Sequence, residues 1–204
     1  MLNKNMRVDI KIGACVVAAF LVASGQVVGD ESTFHFSGTL GTNARCSHSD
    51  SDFCGPYTGR VTIDDNQDAM EWIPGHAYYY RYAEAKIEFA DGQSVTSHSP
   101  SSLPPQQSAI MSVTPKLRVE TSGDYLRITI DIFDPTATFG VIAPQYYYGL
   151  GTFDPANLGD VLGALRGNPS MAKFFIVGGA CSLRPCVDSS LTPLRPAAAI
   201  KNEE

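Results

Sequence analysis

The chain of 204 residues lacks any cluster of Lys and Arg: its 15 basic residues are dispersed among 21 acidic ones, for a formal charge of −6. Affinity for nucleic acid comes largely from grouped cations facing phosphates, so the composition argues against a nucleic-acid partner. No unit recurs at a fixed period, which removes solenoids and propellers. No apolar run approaches the roughly 20 residues that a membrane-spanning helix requires. Catalytic signatures are missing as well, with no Gly-x-Ser-x-Gly elbow, no His-Glu-x-x-His and no glycine-rich phosphate loop. His35, His48, His76 and His98 are scattered, and none has a sequence neighbour that would orient it as a base or ligand. Acceptors of the form Asn-x-Ser/Thr are absent, because Asn168-Pro169-Ser170 carries a disqualifying Pro.

What remains is an ordinary globular composition, 44% hydrophobic with 18 Gly and 13 Pro. That is neither the low hydrophobicity of disorder nor the strict glycine period of collagen, and the length suits one domain with a sizeable core.

The N-terminus reads as a secretory signal peptide. Lys4, Arg7 and Lys11 precede the apolar stretch from Ile12 to Ser24, and the small residues Ser24, Gly25 and Gly29 offer cleavage positions. The stretch is too short to anchor the chain as a spanning helix. Cys15 stands before most of the apolar run and not after it, so a lipoprotein box is rejected. The expected organisation is a leader over residues 1–25, one domain over 30–187 and a loosely ordered Pro/Ala/Ser-rich tail over 188–204. Once the leader is cleaved no membrane span is left, and the product is secreted, either periplasmic or extracellular.

Four cysteines remain after cleavage, Cys46, Cys54, Cys181 and Cys186, an even set in an oxidising compartment. Of the three pairings, the local one (Cys46 with Cys54, Cys181 with Cys186) closes short loops at little entropic cost and is favoured. Zinc is a poor rival, since there is neither a Cys-x-x-Cys nor a paired His.

Along the exported chain the dominant period is two. Ala83, Ala85, Ile87 and Phe89 alternate with Tyr82, Glu84, Lys86 and Glu88, as a half-buried strand requires. Asp91-Gly92 comes next as a type I′ hairpin signal leading into a partner strand over 93–97. Leu117 and Val119, then Leu126, Ile128, Ile130 and Ile132, flank a second turn at Ser122-Gly123-Asp124, with Arg127, Thr129 and Asp131 on the opposite face. Strands over 33–40, 57–63, 146–150 and 173–177 bring the total to about eight, separated by turn residues. The fold class is therefore all-β, an antiparallel β-sandwich or jelly roll, with one short helix. That helix is expected from a cap at Asp154-Pro155, with Leu158, Val161, Leu162 and Leu165 on one face. The stretch over 97–112 is rich in Ser, Pro and Gln and reads as a long surface loop.

These elements carry a family resemblance. Phe34-His-Phe-Ser-Gly-Thr39, Tyr57-Thr-Gly-Arg-Val-Thr-Ile-Asp64, and Tyr79-Tyr80 leading to Ala85-Lys-Ile-Glu-Phe89 and the Asp91-Gly92 turn are similar in order and spacing to exported β-sandwich modules of PEP-CTERM-type bacterial proteins. The stretch Leu126 to Pro135, running on to Leu158-Gly-Asp160, also resembles the later strand and turn of such modules, so the likeness spans residues 32–178. It implies a secreted β-sandwich associated with a matrix or surface, and it brings no catalytic residues. The family's C-terminal apolar helix and basic tail are not found after Pro196, so the sorting role is not implied.

Three constellations are candidates for chemistry. The tyrosine runs place Tyr78, Tyr80 and Tyr82 on the polar face of the strand that carries Glu84, with Tyr146 and Tyr148 as a second group; phenol rings on a sheet face stack on sugars and hydrogen-bond at the rim. Tyrosine is equally a favoured strand residue that packs in cores. Asp64, Asn66 and Asp68 alternate as calcium ligands do, although the EF-hand pattern fails at Ala69 and Gly75, and Asx turn chemistry explains the same run. Glu84, Glu88, Asp131 and Asp134 are the carboxylates from which a glycosidase pair would be drawn, whereas Glu84-x-Lys86-x-Glu88 also reads as a solvated strand face. The sequence thus points to a secreted, non-enzymatic binding or structural module for polysaccharide or matrix components, with a polysaccharide or an extracellular protein as partner, no obligatory cofactor and calcium as the one candidate ion. A secreted glycan hydrolase is the alternative.

Overall fold

The protein is described by a computed structural model over residues 31–40, 55–102, 114–133, 140–151, 153–177, 186–188 and 190–197. The leader over 1–25, Cys46, Cys54, Cys181 and Asp134 lie outside these residues.

The period-two segments form strands β1 (Glu31–Leu40), β2 (Gly55–Asp64), β3 (Met70–Ile73), β4 (Ala77–Tyr80), β5 (Glu84–Phe89), β6 (Ser94–Ser97), β7 (Lys116–Ser122), β8 (Tyr125–Phe133), β9 (Val141–Gly149), β10 (Met171–Val177), β11 (Cys186–Asp188) and β12 (Arg195–Pro196). One sheet runs β12-β1-β2-β5-β6 and the other β11-β10-β9-β8-β7-β4-β3. The pairs are antiparallel, and the two layers make the expected all-β sandwich. Strands β3, β4, β11 and β12 exceed the expected number; at two to four residues each, they are too short to show a period. Each sheet turns its apolar set inward: Phe34, Val61 and Ile87 from one layer meet Leu117, Ile128 and Phe174 from the other, all fully buried. The Tyr57 ring stacks on Phe174 at 4.2 Å and joins the layers.

Local chemistry corrects four expectations. The loop after β5 is not a two-residue type I′ turn: Gly92 N donates to the Phe89 carbonyl, Gln93 N donates to Asp91 Oδ1, and Gly92 takes a φ of 87°. The turn therefore spans Phe89 to Gly92, and the Asp91 side chain ends it by an Asx bond. The single strand read through Tyr82 to Phe89 is instead broken at Arg81–Ala83, where the chain crosses between sheets. That crossing is fixed by Arg81 N on Gln67 Oε1 (2.7 Å), Tyr82 N on Ser99 Oγ (2.9 Å) and Ala83 N on the Thr62 carbonyl (2.7 Å).

Helix α1 (Leu158–Arg166) buries Leu158, Val161, Leu162 and Leu165 as expected, but Asn157 caps it. Asp154 is spent on an Asx bond from Ala156 N, and its own N donates to Asp160 Oδ2. The tail, finally, is not loose over 190–197. Thr192 N donates to the Ser37 carbonyl, Ser37 N to Thr192 Oγ1, Thr39 N to Ser190 Oγ and Ala197 N to the Thr33 carbonyl. Leu191 and Leu194 are buried, so two apolar anchors and two hydroxyl side chains seal the outer edge of β1. Among the described residues no helix is long and apolar enough to cross a membrane.

Candidate functional site

The tyrosine platform does not exist as read from the sequence. Tyr80, Tyr82, Tyr146 and Tyr148 point into the sandwich and are buried, while Tyr78 is half-buried against the core with its OH donating to Glu71 Oε1 at 3.3 Å. The sheet crossing is the cause: Tyr80 ends β4 and Tyr82 lies in the connection, so both rings enter the interior from one end while Glu84 begins a strand of the other sheet. Tyr80 OH donates to the Pro155 carbonyl (2.8 Å) and Tyr82 OH to that of Asp131 (2.9 Å). Burial pushes the phenols of Tyr80, Tyr82, Tyr146 and Tyr148 well above their ordinary range.

Tyr79, the residue between, lies on the outer side of its sheet but is covered there, at 2% exposure. With Met70 and Trp72 it forms a separate apolar cluster on the outer face of the seven-stranded sheet, and the Trp72 and Tyr79 rings stack at 5.3 Å. Beside this cluster lies a cleft of about 210 Å³ lined by Gln67, Asp68, Met70, Tyr79, Arg81, Ser101 and Ser102. Its polar wall is preorganised: Gln67 Nε2 donates to the Asp64 and Arg81 carbonyls, and Arg81 Nη1 donates to the Ser101 carbonyl at 2.7 Å. Asp68 is exposed at the rim, with no partner among the described residues. The cleft thus combines Met70 and the little-exposed edge of Tyr79 with a carboxylate, a guanidinium and hydroxyls. That combination sets a small apolar surface beside both donors and acceptors.

A charge ladder continues from Tyr79 across the same face. Lys116 Nζ lies 5.1 Å from the Tyr79 ring centroid and 3.6 Å from Asp131 Oδ2; Asp131 Oδ1 takes Arg118 at 3.1 Å, and Glu120 takes Arg127 at 2.6 Å. Burial pushes the Asp131 carboxyl up, against the pull of Arg118 and Lys116, and the same burial lowers Lys116. Asp131 is thereby held between two cations, Arg118 and Lys116, with its carboxylate largely out of solvent.

The other carboxylates do not pair with it. Glu84 binds Arg60 at 2.7 Å and Glu88 binds Lys86 at 2.6 Å on the outer face of the opposite sheet. Lys86 beside it holds the Glu88 carboxyl below its usual range. Four residues along a strand separates Glu84 from Glu88 by about 13 Å, beyond the roughly 5–9.5 Å that flanks a scissile glycosidic bond.

In the Asp64–Asp68 run, Asp64 Oδ1 accepts from Asn66 N, which is Asx turn chemistry, and Asp65 Oδ2 accepts from Ser32 Oγ on β1. Among the described residues no three His, Cys, Asp or Glu side chains converge as a metal site. Cys186 opens β11 opposite Ile176, and the disulfide expectation otherwise falls outside the described residues. The cleft residues Gln67, Met70, Tyr79 and Arg81, and Trp72 beside them, escaped the sequence reading. The one legible signal was the Met70-x-Trp72 alternation before the Tyr run. Comparison with protein-family models, curated proteins and solved structures finds no match to this chain.

Proposed function

We propose that the protein is an exported, non-enzymatic module that holds a polysaccharide, or another glycan of an extracellular matrix, in the cleft between Asp68 and Arg81. The observation that carries this reading is a cleft in which Met70 and the edge of Tyr79, itself stacked on Trp72, meet a carboxylate and a guanidinium. A volume near 210 Å³ is below the roughly 300–1,000 Å³ of drug-sized pockets and suits one sugar unit of a longer chain. The basic N-terminus with its apolar stretch, and the likeness of Phe34–Thr39 and Tyr57–Asp64 to PEP-CTERM-type exported modules, support the extracellular setting.

The test is retention of the purified protein on a panel of insoluble and soluble polysaccharides, beside Asp68→Ala and Arg81→Ala. Saturable retention on at least one glycan, weakened tenfold or more by either substitution, is expected. Failure to bind any glycan while folded, or equal retention of both variants, overturns the cleft assignment.

A further inference from the structure

The strand register of the five-stranded sheet aligns residues that the sequence keeps far apart. Arg195 on β12 stands opposite His35 on β1, His35 opposite Arg60 on β2, and Arg60 opposite Lys86 on β5. Directly opposed residues in an antiparallel sheet project to the same side, so these four form one row across the strands. At about 4.8 Å per strand the row is about 14 Å long. It lies on the outer face, since Phe34, Phe36, Val61, Ala85 and Ile87 occupy the inner positions.

Rows on either side carry hydroxyls, Thr33 beside Thr62 and Ser37 beside Thr58, each ending in a glutamate on β5. A shallow cavity of about 160 Å³ sits over the row, lined by His35, Thr58, Gly59, Arg60, Lys86 and Glu88.

Arg60 and Lys86 stand directly opposite one another, an arrangement that destabilises a sheet unless offset, and Arg195 adds a third cation to the row in a chain of net charge −6. Glu84 and Glu88 offset Arg60 and Lys86 only, through exposed pairs that exchange readily with solvent or ligand. Arg195 and His35 make no ion pair among the described residues.

We infer that this row is a second binding face, for an acidic polysaccharide whose chain runs across the strands with its anionic groups on Arg195, Arg60 and Lys86. The hydroxyls and glutamates interleaved with the cations select the class. They accept from and donate to sugar hydroxyls, whereas Glu84 and Glu88 would repel the unbroken phosphate charge of nucleic acid. The face lies on the opposite side of the sandwich from the cleft and stands independently of it.

Affinity electrophoresis of the purified protein through polygalacturonate, dextran sulfate and uncharged dextran tests this, with the first two separating carboxylate from sulfate recognition. Retardation in one or both acidic gels, none in dextran and a loss of retardation with added salt are expected. The double variant Arg60→Gln/Arg195→Gln weakens binding tenfold or more. Glu88→Gln strengthens it, a gain that misfolding does not produce. Asp68→Ala, in the cleft, leaves acidic retention intact; if it abolishes retention, the acidic glycan occupies the cleft and the row assignment falls while the cleft reading stands. Equal mobility in acidic and neutral gels, insensitivity to the double variant, or tighter binding to duplex DNA or phosphatidylserine vesicles than to polygalacturonate also overturns it.

Discussion

The Phe36 ring covers Gly59: the two are register partners on β1 and β2, and a Cβ placed on Gly59 would stand 2.2 Å from Cζ of that ring. Glycine leaves a gap in an otherwise inward-facing row of Tyr57, Val61 and Ile63, and the aromatic ring fills it. Gly59→Ala is therefore expected to destabilise by about 1–3 kcal/mol through overpacking. A lower urea midpoint checks this; an unchanged midpoint would show that the ring has room to yield.

The buried tyrosines are expected to differ among themselves. Tyr82→Phe strips a hydrogen bond from the Asp131 carbonyl and a contact at 3.2 Å from Ser97 Oγ, leaving buried acceptors short of a donor at a cost of about 1–3 kcal/mol. Tyr146 and Tyr148 have hydroxyls with no partner among the described residues, so their Phe variants should be neutral or stabilising. Matched urea unfolding of the three variants decides the matter, and equal losses would contradict it.

Alkaline stability is governed by the same burial. Tyr79, Tyr80, Tyr82, Tyr146 and Tyr148 all have phenols raised by desolvation above their ordinary value. Their contribution is complete below the unfolded value near 10 and is lost as pH rises from there toward the folded values, by up to about 1.4 kcal/mol per pH unit for each tyrosine. Tyrosinate absorbance from these rings should appear together with loss of β-sheet circular dichroism in one cooperative step. Gradual ionisation of all the tyrosines in a folded protein is the contrary result.

The segment over 190–197 should behave as part of the sandwich. Leu194→Ala is expected to cost about 2–5 kcal/mol, because the side chain is only 2% exposed. Deletion from residue 190 onward removes the donors and acceptors that close β1 and should produce self-association on gel filtration. A monomeric deletion variant of unchanged melting temperature would contradict both.

Much of the sandwich was legible because long strands with one buried face write their period into the sequence: Leu126, Ile128, Ile130 and Ile132 on β8 are all inward, as are Ala85, Ile87 and Phe89 on β5. The site was far less legible. Whether a tyrosine faces core or solvent depends on where the chain crosses between sheets, and the bonds that set the crossing come from Gln67 and Ser99, 14 and 17 residues from their partners. Tyr79 and Tyr80 differ by one position and fall on opposite faces, which composition and propensity alone do not decide. The row of Arg195, His35, Arg60 and Lys86 is a product of register across four strands, and no window of sequence contains it.

The most direct test of the cleft uses Trp72, the single tryptophan of the chain, whose ring stacks on Tyr79 of the cleft. Its emission should shift saturably when soluble oligosaccharides from a retained polysaccharide are titrated into the protein, and Asp68→Ala should move the midpoint tenfold or more to higher concentration. Emission that stays fixed while the same glycan is demonstrably bound would place the ligand elsewhere and contradict the account.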